Sequence, residues 1–133
     1  MIVVDASVLA NALGDDGADG NRARRRLVEA GDLAAPDLVD VETAAVLRKR
    51  WLVGDLTGRR FSAAIDDLAD LELARTPVRP LLRRVFELRA NVTADDAVYV
   101  ALAELLECPL LTADRRLAAA PRIRCPVEVL ATA

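Results

Sequence analysis

The chain opens on an unbroken apolar run, Met1-Ile2-Val3-Val4, which stops at Asp5. A β-branched run bounded in this way predicts a buried strand whose C-terminal end delivers a carboxylate. Helical spacing then predicts a short helix over residues 7–13 and another over 21–30, closed by Gly31 just past its end. Between them, Gly14-Asp15-Asp16-Gly17-Ala18-Asp19-Gly20 reads as a loop by composition. Leu33-Ala34-Ala35-Pro36 predicts a second strand. Residues 37–53 predict a long helix, with Leu38, Val41, Ala45 and Leu52 among its apolar positions and Gly54 ending it. Thr57 is placed to cap a helix running through Phe61, Ile65 and Leu68. Leu71-Glu72-Leu73-Ala74 alternates as a third strand would, Thr76-Pro77 breaks the chain, and Pro80 suits the first turn of a helix reaching Arg89.

The last third is the most clearly marked. Residues 93–106 predict a helix opened by Thr93. Leu110-Leu111-Thr112 predicts a fourth strand, and Asp114 precedes a brief helix to Ala119 that Pro121 ends. Val127-Glu128-Val129-Leu130 predicts the final strand. Strands alternate with helices, and the connections are long enough for crossovers. The expectation is an α/β fold, a mainly parallel sheet with helices on both faces, in a single domain over residues 1–133. A chain of 133 residues buries roughly 70% of its unfolded surface and needs no staples to hold a core.

Composition narrows the chemistry. There is no histidine, which removes Ser-His and Cys-His nucleophile pairs, histidine-ligated zinc and histidine general bases together. Cys108 and Cys125 each precede a proline and read as buried or half-buried free thiols of a reducing compartment. No signal peptide and no membrane-length apolar run is read from the sequence, so a cytoplasmic protein with no membrane partner is expected. The net charge of −3 gives no global attraction to nucleic acid. The acidic segment 14–20 does not make a calcium loop: Gly17 falls on a ligand position, and Arg26 stands where a bidentate glutamate belongs.

What remains is carboxylate chemistry. In open parallel sheets, ligands bind at the carboxyl ends of the strands. Asp5 ends the first strand, and Asp114 follows the fourth, with Thr112 at the strand end. Glu42 and the pair Asp95-Asp96 lie early in helices that pack near the same edge. Each acid alone has a structural explanation, as a helix cap or a dipole partner. Together they would repel one another unless protonated or neutralised by a cation. Hard oxygen donors without histidine or cysteine select Mg²⁺ or Mn²⁺. Such an ion can polarise a phosphodiester and lower the pKa of an attacking water.

Four segments, in order and at their spacing, resemble the PIN-domain toxins of the VapC type. They are Ile2-Val3-Val4-Asp5-Ala6-Ser7, the run from Ala35 to Glu42, the run from Thr93 to Ala103, and Leu110-Leu111-Thr112-Ala113-Asp114-Arg115-Arg116-Leu117. The resemblance implies a three-layer α/β/α PIN-like domain and a Mg²⁺- or Mn²⁺-dependent endoribonuclease, the toxin of a type II toxin–antitoxin pair. It implies catalytic roles for Asp5, Glu42, Asp96 and Asp114, with Asp5, Asp96 and Asp114 at the metal. It also implies supporting roles for Ser7, Thr112 and Asn11, a VapB-like antitoxin as partner, a homodimer, and an RNA substrate such as tRNA or rRNA. Where an aromatic residue is expected before the third acid, this chain has Asp95. The frame Ala97-Val98-Tyr99-Val100-Ala101 places the acid at Asp96.

Arg115 and Arg116, directly after Asp114, are the nearest candidates for holding substrate phosphates. The arginines at 22, 24, 25, 26, 48 and 50 read as solvated helix faces. Few aromatics are present, which argues against a base-stacking platform. A receiver domain needs a lysine after its last strand, and the one lysine, Lys49, lies in a helix. An aspartate-nucleophile phosphohydrolase wants an aspartate two residues after Asp5, where Ser7 stands. A non-catalytic PIN-like binding module is the remaining alternative.

Overall fold

The computed structural model describes residues 1–132. Five strands form one sheet: β1 (Ile2–Val4), β2 (Leu33–Pro36), β3 (Ala74–Thr76), β4 (Leu110–Thr112) and β5 (Val127–Val129). The order across the sheet is β3-β2-β1-β4-β5, and every neighbouring pair is parallel. The expectation of a mainly parallel sheet is met by a fully parallel one. Steps from β1 to β3 move one way across the sheet, and steps from β3 to β5 move the other. Right-handed crossovers therefore put the two sets of helices on opposite faces. α1 (Ala6–Gly14), α2 (Ala18–Ala30), α3 (Val39–Leu52) and α4 (Gly58–Asp70) pack with one another. α5 (Leu82–Glu87) packs on α6 (Ala94–Leu106), and α7 (Arg115–Ala119) lies by β5.

β1 is the central strand, and Ile2, Val3 and Val4 are buried on both faces, as a strand between helical layers must be. α6 lies against β1, β2 and β4 and is buried along its whole run from Ala97 to Ala103. The change of chain direction falls between β1 and β4, and a ligand crevice in this class opens at such a point. Cys108 is buried and Cys125 half-buried, both as free thiols.

Several boundaries differ from the expectation. α2 begins at Ala18, within the segment read as a loop. Gly17 has no side chain to cap it, so Asp15 does so from outside, accepting from the amides of Gly17 (2.9 Å) and Gly20 (3.0 Å). Gly20 touches the Asp15 backbone so closely that a Cβ there would stand 1.8 Å from its carbonyl oxygen. β3 lies later than the alternating Leu71–Ala74 run suggested. Leu71 and Leu73 pack against the core from the preceding segment, and pairing begins at Ala74. The register is pinned by Arg75, whose guanidinium donates to Asp40 (2.8 and 3.0 Å) and to the Leu68 carbonyl (3.0 Å).

α5 is shorter than expected, preceded by a 3-10 turn over Arg79–Leu81 and ending before Leu88. In α3 the buried stripe is Val39, Thr43 and Leu47, whereas Val41 and Leu52 are exposed. A threonine in the middle of the buried stripe conceals it from a search for apolar positions.

Candidate active site

β1 brings Asp5 to the end of the central strand, where its amide donates to the Leu111 carbonyl of β4 at 2.9 Å. Asp5 stands at the N-cap position of α1, but its side chain makes no capping bond. Instead Oδ2 accepts from Ser7 Oγ (3.1 Å) and Thr112 Oγ1 (2.7 Å). Both hydroxyls also accept a backbone amide, Ser7 from Ala113 and Thr112 from Asp114, each at 3.1 Å. A hydroxyl has a single proton, so both protons are committed to Asp5 and the lone pairs to the turn after β4. Asp5 is therefore held as an acceptor. Among the described residues nothing donates to its Oδ1.

Three other predicted acids converge electrostatically on this point. Glu42 lies in the first turn of α3. Burial first, then the charges of Asp5, Asp95 and Asp96, pushes its carboxyl above the usual range, while a hydrogen bond from Tyr99 works the other way. Asp96 lies in the first turn of α6, and its amide donates to Thr93 Oγ1 at 3.4 Å. It too is raised, by burial first and then by the charge of Asp5, with Asp114 and Asp95 adding to it and Thr93 opposing. Asp95 is exposed at the rim, yet its charge reaches both Glu42 and Asp96.

Asp114 differs from the others because it has a cation of its own. It caps α7 by accepting the Arg116 amide (2.9 Å), and its carboxylate takes the Arg116 guanidinium at 3.1 and 2.9 Å. That partner holds its carboxyl below the usual range. Arg115 is exposed and has no carboxylate partner among the described residues. Asn11 is buried, and its Oδ1 accepts from Arg50 Nη2 at 2.6 Å and ties α1 to α3.

Tyr99 is the residue that sequence reasoning passed over as part of an apolar frame. It is buried on α6, three residues after Asp96 and so on the same face. Its hydroxyl donates to Glu42 Oε1 at 2.5 Å. Burial, followed by Glu42, drives the phenol pKa upward and keeps the donor protonated. A signal was present in the sequence: a lone tyrosine inside an apolar helix needs a partner for its hydroxyl.

Among the described residues, no group of three or more acids, cysteines or histidines stands close enough to make a ready metal cage. The donor set nevertheless fits Mg²⁺ or Mn²⁺. Magnesium retains waters and is held through one or two carboxylates plus substrate phosphate, so it requires no such cage. Asp5 offers one oxygen that no described protein group donates to and that is not sealed from solvent, and the charged groups that raise Glu42 and Asp96 are all acids. The site is a negative centre awaiting a hard cation.

A parallel sheet in the order 3-2-1-4-5, with an acidic centre at the switch between β1 and β4, defines an α/β domain with a carboxylate site suited to a hard cation. The PIN domain model matches residues 2–123, and the chain belongs to that family. It is 44% identical to ribonuclease VapC9 of Mycobacterium tuberculosis, with 98% of each chain covered, and 41% identical to ribonuclease VapC1 of the same organism, with 96% of each covered. The fold is shared with the crystal structure of M. tuberculosis VapC20, described as a sarcin–ricin loop cleaving toxin. That comparison has a TM-score of 0.69 at 19% identity and covers 90% of this chain and 94% of that one. VapBC2 of Rickettsia felis, bound to a promoter DNA fragment, gives a TM-score of 0.68 at 15% identity, covering 98% and 99%.

Proposed function

We propose that this chain is a divalent-metal-dependent endoribonuclease and the toxin of a toxin–antitoxin pair. One observation carries the reading. Asp5 is a buried carboxylate with one oxygen clamped by two hydroxyls and the other undonated, and among the described residues the acids around it have Arg116 as their one close cation. The ribonuclease names of the 44% and 41% identical relatives support it.

Asp5, Asp96 and Asp114 would hold Mg²⁺ or Mn²⁺. Such an ion, when bound, supplies a Lewis acid for the scissile phosphate and a water of lowered pKa. The chain's own residues do the rest. Ser7 and Thr112 fix the rotamer of Asp5, as hydrogen-bonded supporting groups do for a ligating carboxylate. Glu42 has Oε1 occupied by Tyr99, so Oε2 is the atom available to take a proton from the attacking water. Arg115 and Arg116 stand beside Asp114 and would take phosphates flanking the cut, Arg116 after releasing Asp114. Phosphate contacts of this kind position a strand without reading it.

The partners follow from the same chemistry. A negative crevice is closed by a protein that places a cation among the acids, the role assigned here to a VapB-like antitoxin. A homodimer, a cytoplasmic location and a structured RNA substrate such as tRNA or rRNA complete the proposal. Among the described residues no helix is long and apolar enough to cross a membrane.

The test is cleavage of total cellular RNA by the purified protein, with and without Mg²⁺, followed by sequencing of the new 5′ ends. Defined ends that require the cation and disappear in Asp5→Asn are expected. Cleavage that survives EDTA or Asp5→Asn overturns the metal–carboxylate reading.

A further inference from the structure

Among the described residues, Asp114 carries the one ion pair at the acidic centre, and every other ion pair engages an acid outside it. The carboxylate takes three donors, all from Arg116. Its Oδ1 accepts the Arg116 amide (2.9 Å) and Nε (3.1 Å), and its Oδ2 accepts Nη2 (2.9 Å). The Arg116 side chain is 91% exposed, against 29% for Asp114, so the guanidinium lies on the solvent side of the carboxylate. Among the described residues it has no other hydrogen-bond or ion-pair partner. The charge of Asp96 also reaches it.

The two oxygens of Asp114 are held differently. Oδ1 keeps the backbone amide of Arg116 whatever the arginine side chain does, because that bond belongs to the cap of α7. Oδ2 has the guanidinium alone. Asp5 shows the same division: Ser7 and Thr112 fix its Oδ2, and among the described residues nothing donates to its Oδ1. Each carboxylate thus has one oxygen engaged in orientation and one left over. At Asp5 the second oxygen is open, whereas at Asp114 a removable cation sits on it. A side-chain cation and a divalent ion compete for one oxygen, and the apparent affinity for the ion falls with the fraction of molecules in which that oxygen is open. An exposed ion pair is weak, so it yields to an ion of charge two.

We infer that Arg116 is the resident counter-ion of the metal-free site: its guanidinium occupies the Asp114 oxygen that Mg²⁺ or Mn²⁺ needs, and loading of the ion exchanges one cation for the other. The exchange releases a fork of N–H donors at the edge of the centre, free to take a substrate phosphate. One arginine thereby couples two binding events. By reciprocity, a phosphate that draws Arg116 off Asp114 raises the affinity for the metal. This rests on the metal-dependent ribonuclease reading above, and it deepens that reading by making Arg116 a determinant of metal affinity.

The experiment is Mn²⁺ binding, by titration calorimetry, to the parent, Arg116→Gln and Arg115→Gln. Arg115 is exposed one residue away and has no carboxylate partner among the described residues, so its variant makes the same change in net charge without touching Asp114. Arg116→Gln should bind Mn²⁺ about 2- to 5-fold more tightly than Arg115→Gln, the weight of an exposed ion pair. In EDTA it should melt lower than Arg115→Gln, because the acids lose their counter-ion, and saturating Mg²⁺ should close that gap. A gap that Mg²⁺ leaves open, with unchanged Mn²⁺ affinity, is the mark of a purely structural pair and overturns the inference. Weaker Mn²⁺ binding in Arg116→Gln than in Arg115→Gln overturns it as well, and in both cases the ribonuclease reading stands. Absence of Mn²⁺ binding from all three proteins overturns the inference and the metal-dependent reading together.

Discussion

Thr112 Oγ1 donates to Asp5 Oδ2 at 2.7 Å and accepts the Asp114 amide at 3.1 Å, so one side chain sets both a candidate ligand and the turn that carries another. Thr112 is fully buried. Thr112→Val keeps the shape and removes both bonds, leaving a buried carboxylate oxygen and an amide short of a partner. We expect a stability loss of about 1–3 kcal/mol by denaturant unfolding. Mn²⁺ affinity by calorimetry should fall about 10- to 100-fold, the usual cost of losing a supporting hydrogen bond at a ligand. Thr112→Ser, which keeps the hydroxyl, restores the affinity. Equal affinities for Thr112→Val and the parent would remove Thr112 from the site.

Tyr99→Phe deletes one oxygen and leaves the packing of α6 in place. Glu42 then loses the donor on Oε1, and its carboxyl moves further up, because the hydrogen bond was the influence opposing burial. Cleavage at neutral pH should fall by about 10-fold or more, and the acidic limb of the rate–pH profile should move to higher pH. A fall in rate with an unmoved profile would mean that Tyr99 acts through packing alone.

The acidic centre is a cost to the metal-free fold. Asp96→Asn and Glu42→Gln each remove a charge from a partly buried group of like charges. In EDTA both should melt a few degrees higher than the parent. Asp96→Asn, which removes a proposed ligand, should also lose most of the rise in melting temperature that Mg²⁺ gives the parent, whereas Glu42→Gln should keep most of it. Glu42→Gln should lower cleavage about 10²- to 10⁴-fold, as the loss of a general base does. Variants that melt lower in EDTA would show that the carboxylates stabilise the fold, against the repulsion argued here.

The pH dependence has a definite sign. Burial and neighbouring acids raise Glu42 and Asp96 in the folded chain, so on raising the pH the unfolded chain loses these protons first. Between the unfolded and folded values the folded state holds more protons, and stability falls as pH rises through that window. Asp114, lowered by Arg116, has the opposite sign and loses its contribution as pH falls through its own folded value. The metal-free melting temperature of the parent, relative to the Glu42→Gln/Asp96→Asn double variant, should therefore decline as pH rises from about 4, the ordinary carboxylate value, through the raised folded values. Parallel curves for the two proteins would contradict the raised values.

Elements whose local pattern agreed with their tertiary role were legible in the sequence. β1, β4 and α6 lie where the apolar runs and the Thr93 cap put them, because both strands and the middle of α6, from Ala97 to Ala103, are buried and no competing period exists. β3 was displaced because its position is set by the Arg75–Asp40 pair, a contact across 35 residues that no local window contains. The acids themselves were legible as residue types at strand ends and helix starts. Their differences were not: only the folded chain gives Asp114 a private cation and Glu42 a phenol donor. Asn11 has the helical spacing of a residue near the site, and the guanidinium from α3 that its Oδ1 accepts was not legible from that spacing.

The clamp on Asp5 joins residues 107 positions apart. During synthesis, the first strand of the sheet must wait, unpaired on one side, until the chain has been made as far as β4. Until β4 docks, Asp5 has no Thr112, Ser7 has no Ala113 amide to hold it, and Asp114 is still to be added. A growing chain that has not reached β4 therefore lacks the assembled site. The site is complete only when β4 docks on β1, and folding thereby sets a delay between the synthesis of Asp5 and the moment it is held in place.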